Sequence, residues 1–209
     1  MTHLAVIDPL VRLFALLASD GPTLSEDAVQ RLVEAAKEGD SSAARELYDA
    51  YVARVLRAVR PLCRSEAEAE DVAQETFVTV LTKLHTYQHR PGARFIAWVL
   101  TIARNTAHRS ARHRRVVPVD TDTLHLPDRD DGADPTAAAL DHVREKAALL
   151  QALSELPERD RTVVSLRWGG GLKAPEVARA TGLKPDLVRK ICQRRRPQLL
   201  ARIEELLQP

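Results

Sequence analysis

The sequence predicts an all-α protein built of two helical domains joined by a flexible acidic linker. Three observations predict it. Apolar residues recur at three-to-four spacing through both ends of the chain, the period of helices with one buried face. Aromatic residues make up only 4% of the 209 residues, while Ala, Leu, Glu and Arg are abundant, a composition that favours helix over strand. Between the two helical stretches lies a short segment crowded with aspartate and proline.

The N-terminal extension, residues 1–25, holds the apolar run Leu4 to Ala18, interrupted by Asp8, Pro9 and Arg12. It lacks the basic start of a secretory signal, and no run reaches the ~20 apolar residues that span a bilayer. We expect a short amphipathic helix that packs on the body or on a partner, no membrane insertion, and a cytoplasmic protein associated with the nucleoid.

Residues 26–115 form the first domain. Ser25-Glu26-Asp27 starts a helix that runs to Lys37 and stops at Gly39. Asp40 or Ser41 caps the next, with Leu47, Tyr51, Val55 and Val59 on one side. Pro61 ends it. Ser65 caps a third helix to about His85, with the apolar line Ala69, Ala73, Phe77, Leu81 and Leu84. A turn from Tyr87 to Ala93 leads into a fourth helix, about Arg94 to Arg115. Phe95, Trp98, Val99 and Ile102 read as its core face. Its outer part carries Arg104, Asn105, His108, Arg109 and Arg112 with no acid from Arg104 to Arg115. A polar face of one sign opposite an apolar face fits phosphate binding. Tyr87, in the turn, is a candidate for touching an unpaired base. Asp71, Gln74 and Glu75 share an exposed side of the third helix, suited to a basic protein surface.

Residues 116–136 contain six aspartates, one arginine and three prolines. Such a segment buries too little apolar surface to offset chain entropy and reads as an extended tether. Residues 137–209 return to helix. Leu149, Leu150, Leu153 and Leu156 form a stripe, and Pro157 opens a further helix at a proline-first position that Gly169-Gly170-Gly171 breaks. Ala174 to Gln193 fits a DNA-binding helix-turn-helix. Ala178 permits close helix approach, Gly182 supplies the positive backbone angle of the turn, and Val177, Leu183, Val188 and Ile191 make a small core. The second helix presents Lys184, Arg189, Lys190, Gln193 and Arg194, donors suited to base edges and phosphates in a major groove. Pro197 should end or kink it, leaving Gln198 to Leu207 as a separate short helix or a bent continuation.

Glu70-Asp71-Val72-Ala73-Gln74-Glu75-Thr76-Phe77 resembles region 2.2 of the extracytoplasmic-function sigma factors of bacterial RNA polymerase. Phe95 to Asn105 resembles their regions 2.3 to 2.4, Leu156 to Arg161 their region 4.1, and the helix-turn-helix sits where region 4.2 belongs. The resemblance implies roles. Asp71, Gln74 and Glu75 would dock on the polymerase clamp. Leu153, Leu156, Val163 and Val164 would support or form the surface that meets the flap. Tyr87, His89 and Arg90, in the turn to Ala93, would capture a base of the minus-ten element, with Arg104, Asn105, His108, Arg109 and Arg112 holding the adjoining duplex. The helix from Lys184 to Arg196 would read the minus-thirty-five element. The resemblance implies core polymerase and promoter DNA as partners and an anti-sigma factor as a family-typical third. It implies no enzymatic activity and no cofactor.

The sequence departs from the family pattern at the triple glycine, at Lys184-Pro185 in place of a hydroxyl cap, and at Pro197. The competing class is a stand-alone helix-turn-helix regulator, which would need a sensor or dimerisation domain that the N-terminal zone does not suggest. An enzyme is disfavoured because no nucleophile–base set, phosphate loop or metal cluster is visible. Cys63 and Cys192 are far apart and read as ordinary, buried residues rather than a disulfide or redox pair.

Overall fold

A computed structural model describes residues 8–19, 21–90, 92–116 and 137–208; the acidic tether lies almost wholly outside the described residues. Nine α-helices account for the described fold, and an isolated bridge between Arg90 and Ala93 is its sole β-type pairing.

Local chemistry sets the boundaries of the first helical body. The Ser25 hydroxyl accepts from the Ala28 N–H at 3.2 Å and starts α2, Glu26–Lys37. Gly39, with φ +97°, turns the chain. The Asp40 carboxylate accepts from the N–H groups of Ser42 and Ala43 and starts α3, Ser41–Val59. Ser65 caps α4, Glu66–Lys83. A single 3₁₀ turn, Leu84–Thr86, then leads toward α5, Phe95–Val116. Each cap satisfies N–H groups that a helix start would otherwise leave orphaned. The four helices pack through Val33, Leu47, Val55, Val72, Phe77 and Leu100.

Leu81, expected on the core line of α4, is 45% exposed. Residues at strict four-residue spacing drift about 40° per step around a helix of 3.6 residues per turn. The buried line therefore passes to Val72, Thr76 and Val80.

The second body comprises α6 (Ala137–Ser154), α7 (Glu158–Val164), α8 (Ala174–Thr181) and α9 (Pro185–Leu207). Pro157 is the N-cap of α7 rather than its first helical residue. α7 runs into one π-helical turn, Ser165–Gly169, closed by a Gly170 N–H to Ser165 carbonyl bond of 2.9 Å. The helix breaks at the glycines, with Gly171 at φ +64°. Gly182, φ +74°, makes the turn between α8 and α9. α9 does not stop at Pro197: it continues for 23 residues with the proline inside. Leu199 and Ile203, buried beyond the proline, hold it against α6. Tertiary burial outweighs the lost i→i−4 hydrogen bond.

The core of the first body extends into the second, which also has an apolar cluster of its own around Leu149, Leu153 and Leu199. Val163, Leu166, Leu172, Val177 and Ile191 of the second join the apolar cluster of the first. The N-terminal extension forms α1, Pro9–Ala15, which packs against α6 and the π turn. Its Leu10 and Phe14 are fully buried with Leu149 and Leu153, beside the buried Trp168.

Candidate nucleic-acid interface

The basic face of α5 is the natural origin of the site. Asn105, Arg109 and Arg112 are exposed on it, and Arg109 pairs with Glu75 of α4. Arg104 and His108, one turn apart, are instead engaged by the second body. An Arg104 Nη1 donates to the Ala180 carbonyl of α8 at 3.0 Å. His108 Nδ1 lies 3.1 Å from Glu158 Oε1, and its other ring nitrogen is 3.4 Å from the Thr162 hydroxyl. Burial, aided by the nearby Arg104 charge, lowers the His108 pKa despite the pull of Glu158.

The turn before α5 is held in the same way. Arg94 donates from Nε and Nη2 to the two Glu176 oxygens at 2.9 and 2.6 Å, and from Nη2 to the Gly171 carbonyl at 2.9 Å. Glu176 also accepts the Lys173 N–H at 2.7 Å, one arm of a capping box that starts α8. Burial alone would raise this carboxyl, but the donors from Arg94 and Lys173 overcome it and hold the pKa below the ordinary carboxylate value. A fork-to-fork pair of this kind fixes orientation as well as distance.

Tyr87 does not present its ring outward. It is 9% exposed and meets Phe95 edge-on, ring centres 5.0 Å apart, with Trp98 at 5.1 Å. The 3₁₀ turn that ends α4 swings it inward, where an aromatic side chain gains more from burial than from solvent. His89 and Arg90 of the same turn are exposed. Phe95 is buried and Trp98 partly so, as their core assignment requires.

Asp71, Gln74 and Glu75 stand exposed on α4. On α9, Lys184, Arg189, Lys190 and Gln193 are exposed, and Arg189 is paired with Asp186 one turn earlier. Arg194 is exposed but tethered. With Arg195, and with Arg159 beside it, Arg194 donates to the fully buried Asp160, at 2.8 Å. Burial pushes the Asp160 carboxyl up, yet the arginine donors prevail and its pKa falls below the usual value. Leu153 is not on a surface: with Val163 and Val164 it is fully buried, while Leu156 is half-buried. Cys63 and Cys192 are not in a disulfide and are half-buried rather than enclosed.

Sequence reasoning did not single out Arg94, Glu158, Asp160 or Glu176. Glu176 carried a readable signal, an acid three residues into a proline-started helix. Asp160 carried a weaker one, an acid in a first turn ahead of an arginine cluster. Among the described residues no group of His, Cys, Asp and Glu could hold a metal ion, and no helix is long and apolar enough to cross a membrane.

The Sigma-70 region 2 family matches residues 47–116, and Sigma-70, region 4 matches residues 146–194. The ECF RNA polymerase sigma factor SigD of Mycobacterium tuberculosis is 34% identical over 200 residues, covering 91% of this chain and 90% of its own. The chain belongs to the extracytoplasmic-function (ECF) RNA polymerase sigma factors. The ECF sigma factor BldN of Streptomyces coelicolor is 32% identical, covering 87% of this chain and 69% of its own. Among solved structures, CnrH in complex with the cytosolic domain of CnrY superposes with a TM-score of 0.62 at 25% identity, covering 86% of this chain and 99% of that one. The first helical body is thus sigma region 2 and the second sigma region 4. The contacts of Arg94, Arg104 and His108 are contacts between the two regions.

Proposed function

We propose that this ECF sigma factor binds core RNA polymerase through the exposed acidic side of α4, residues Asp71, Gln74 and Glu75, and through region 4 around Leu153 and Leu156. Region 2, residues 26–115, then holds the minus-ten element through Tyr87, His89, Arg90, Arg104, Asn105, His108, Arg109 and Arg112. Region 4, residues 137–209, reads the minus-thirty-five element through Lys184, Arg189, Lys190, Gln193 and Arg194. The tether of residues 116–136 spans between them. The chain performs no covalent chemistry of its own, works in the cytoplasm, and is restrained by an anti-sigma factor. The observation that carries this reading is the exposed cationic edge of α9 on a helix-turn-helix, in the same chain as an exposed acidic edge on α4.

Two weak DNA-binding regions fixed on one polymerase act at high effective concentration and measure promoter spacing. Neither needs strong affinity alone. The closed arrangement places Arg104 and His108 against region 4, so promoter engagement by region 2 requires the regions to part.

Reversing Arg189 and Lys190 to Glu should weaken promoter binding by about a hundredfold, the worth of one or two lost base-edge or phosphate contacts, while co-elution with core polymerase stays normal. Unchanged promoter activity would refute the recognition-helix assignment. Reversing Asp71 and Glu75 to Lys should weaken core binding, measured by competition with the unaltered chain. A stand-alone regulator would bind its operator without polymerase, and run-off transcription with purified core separates the two.

A further inference from the structure

We propose that the N-terminal segment, α1 and the turn through Ala18, is an intramolecular strap: α1 fills an apolar groove of region 4 and so holds the two regions closed over the region 2 residues that face DNA. The inference rests on the sigma-factor reading for its consequence, but not for its geometry.

α1 lies outside both stretches matched by the sigma families, residues 47–116 and 146–194. It is nonetheless seated as a groove-bound helix is seated. Leu10, Leu13, Phe14 and Leu17 follow i, i+3, i+4, i+7 spacing, the pattern of an amphipathic helix laid in a groove, and none is more than 6% exposed. The groove is lined by Leu149, Leu153, Trp168 and Leu199. Leu153, proposed above to support the polymerase-facing part of region 4, is buried in the same cluster as Leu10 and Phe14, so the strap and the polymerase compete for region 4.

The ends of the strap reach both regions. Asp8 caps α1 through the Leu10 N–H at 3.0 Å. Its other oxygen accepts from Trp168 Nε1 at 3.4 Å and Arg196 Nε at 3.3 Å, so the cap also ties the strap to the recognition helix. Arg12 pairs with Glu145 of α6 at 2.8 Å. At the other end, Arg57 of α3 donates to the Ala18 carbonyl at 3.3 Å, and the chain continues into α2 of region 2. The three bodies meet at Gly169: a Cβ there would lie 2.6 Å from the Arg57 carbonyl oxygen and 2.8 Å from a Phe14 ring carbon. The junction admits no side chain.

The test uses the full chain, free and with core polymerase. Small-angle scattering of Asp8→Ala, Phe14→Ala and Arg12→Glu should show a larger radius of gyration than the unaltered chain. Arg12→Glu places like charges together on the surface without touching the core, and Arg12→Glu with Glu145→Arg should restore the compact form. Asp8→Ala should bind core polymerase about fivefold more tightly, the factor expected from losing one helix cap on the competing state. Variants that stay as compact as the unaltered chain, or that expand while binding core no better, overturn the strap. An unaltered chain with no affinity for core polymerase would instead defeat the sigma-factor reading, and the scattering would still judge the strap.

Discussion

Two buried carboxylates do work out of proportion to their size. Asp160 gathers Arg159, Arg194 and Arg195, and Glu176 joins Arg94 to the start of α8. Removing one partner of a buried charge cluster leaves the others uncompensated. Asp160→Ala should therefore cost about 3 kcal/mol, read as a lower midpoint in urea with the slope unchanged. Both carboxyls titrate below their ordinary values in the fold. A depressed folded pKa gives stability that is complete above the unfolded value, about 4, and is lost as pH falls through the lower folded value. Thermal unfolding followed from pH 7 to pH 2 should show a steep acid limb below about pH 4, shallower in Asp160→Asn. The local roles of the two carboxylates left a trace in the sequence, but their distant arginine partners, 34 to 82 positions away, did not. Residues with local roles were legible: the hydroxyl of Ser25, the carboxylate of Asp40 and the bare backbone of Gly182 each satisfy a need of their own turn. The packing of Tyr87 was not legible, because a ring in a polar turn gives no local sign of the Phe95 and Trp98 rings it meets.

Helices were legible in number and nearly in length, since periodicity and caps are properties of neighbours. Their fates depended on packing. α9 crosses Pro197 because the turns beyond it are buried. Pro197→Ala should return the missing hydrogen bond and relieve the ring clash, raising stability by about 1–2 kcal/mol after allowing for the looser unfolded chain. A fall in melting temperature would mean that the proline's restriction of the unfolded chain outweighs the hydrogen bond it removes. α1 illustrates the opposite balance. Its three buried side chains, Leu10, Leu13 and Phe14, have to offset the backbone entropy of ordering its seven residues. A helix this short does not persist without its groove. Its apolar run was visible in the sequence, but what it covers was not.

At the scale of the whole molecule, the two helical domains the sequence predicts are present, and they pack on each other through a shared apolar cluster. The region 2 core accepts Val163, Leu166, Leu172 and Val177 from region 4, and Arg94–Glu176 and Arg104–Ala180 cross the same boundary. Heat or urea should therefore unfold the free chain in one transition, with coincident helix and tryptophan signals. Glu176→Arg should separate it into two, and Arg94→Glu on that background should bring the single transition back. The family resemblance made the order of regions plain. It carried no information on closure, because closure depends on contacts between segments that each fold sensibly without the other.

The unbroken α9 has one more implication. Its exposed basic turns around Lys190, proposed above to read DNA, and its buried turns around Ile203 belong to one helix, about 20 Å apart at 1.5 Å per residue. A rod of that length turns a small shift of its buried foot into a sideways sweep of its tip. Substitutions at the buried Leu199 or Ile203 should therefore alter which spacing between the two promoter elements is best tolerated, and a library of spacer lengths would display the change as a displaced optimum.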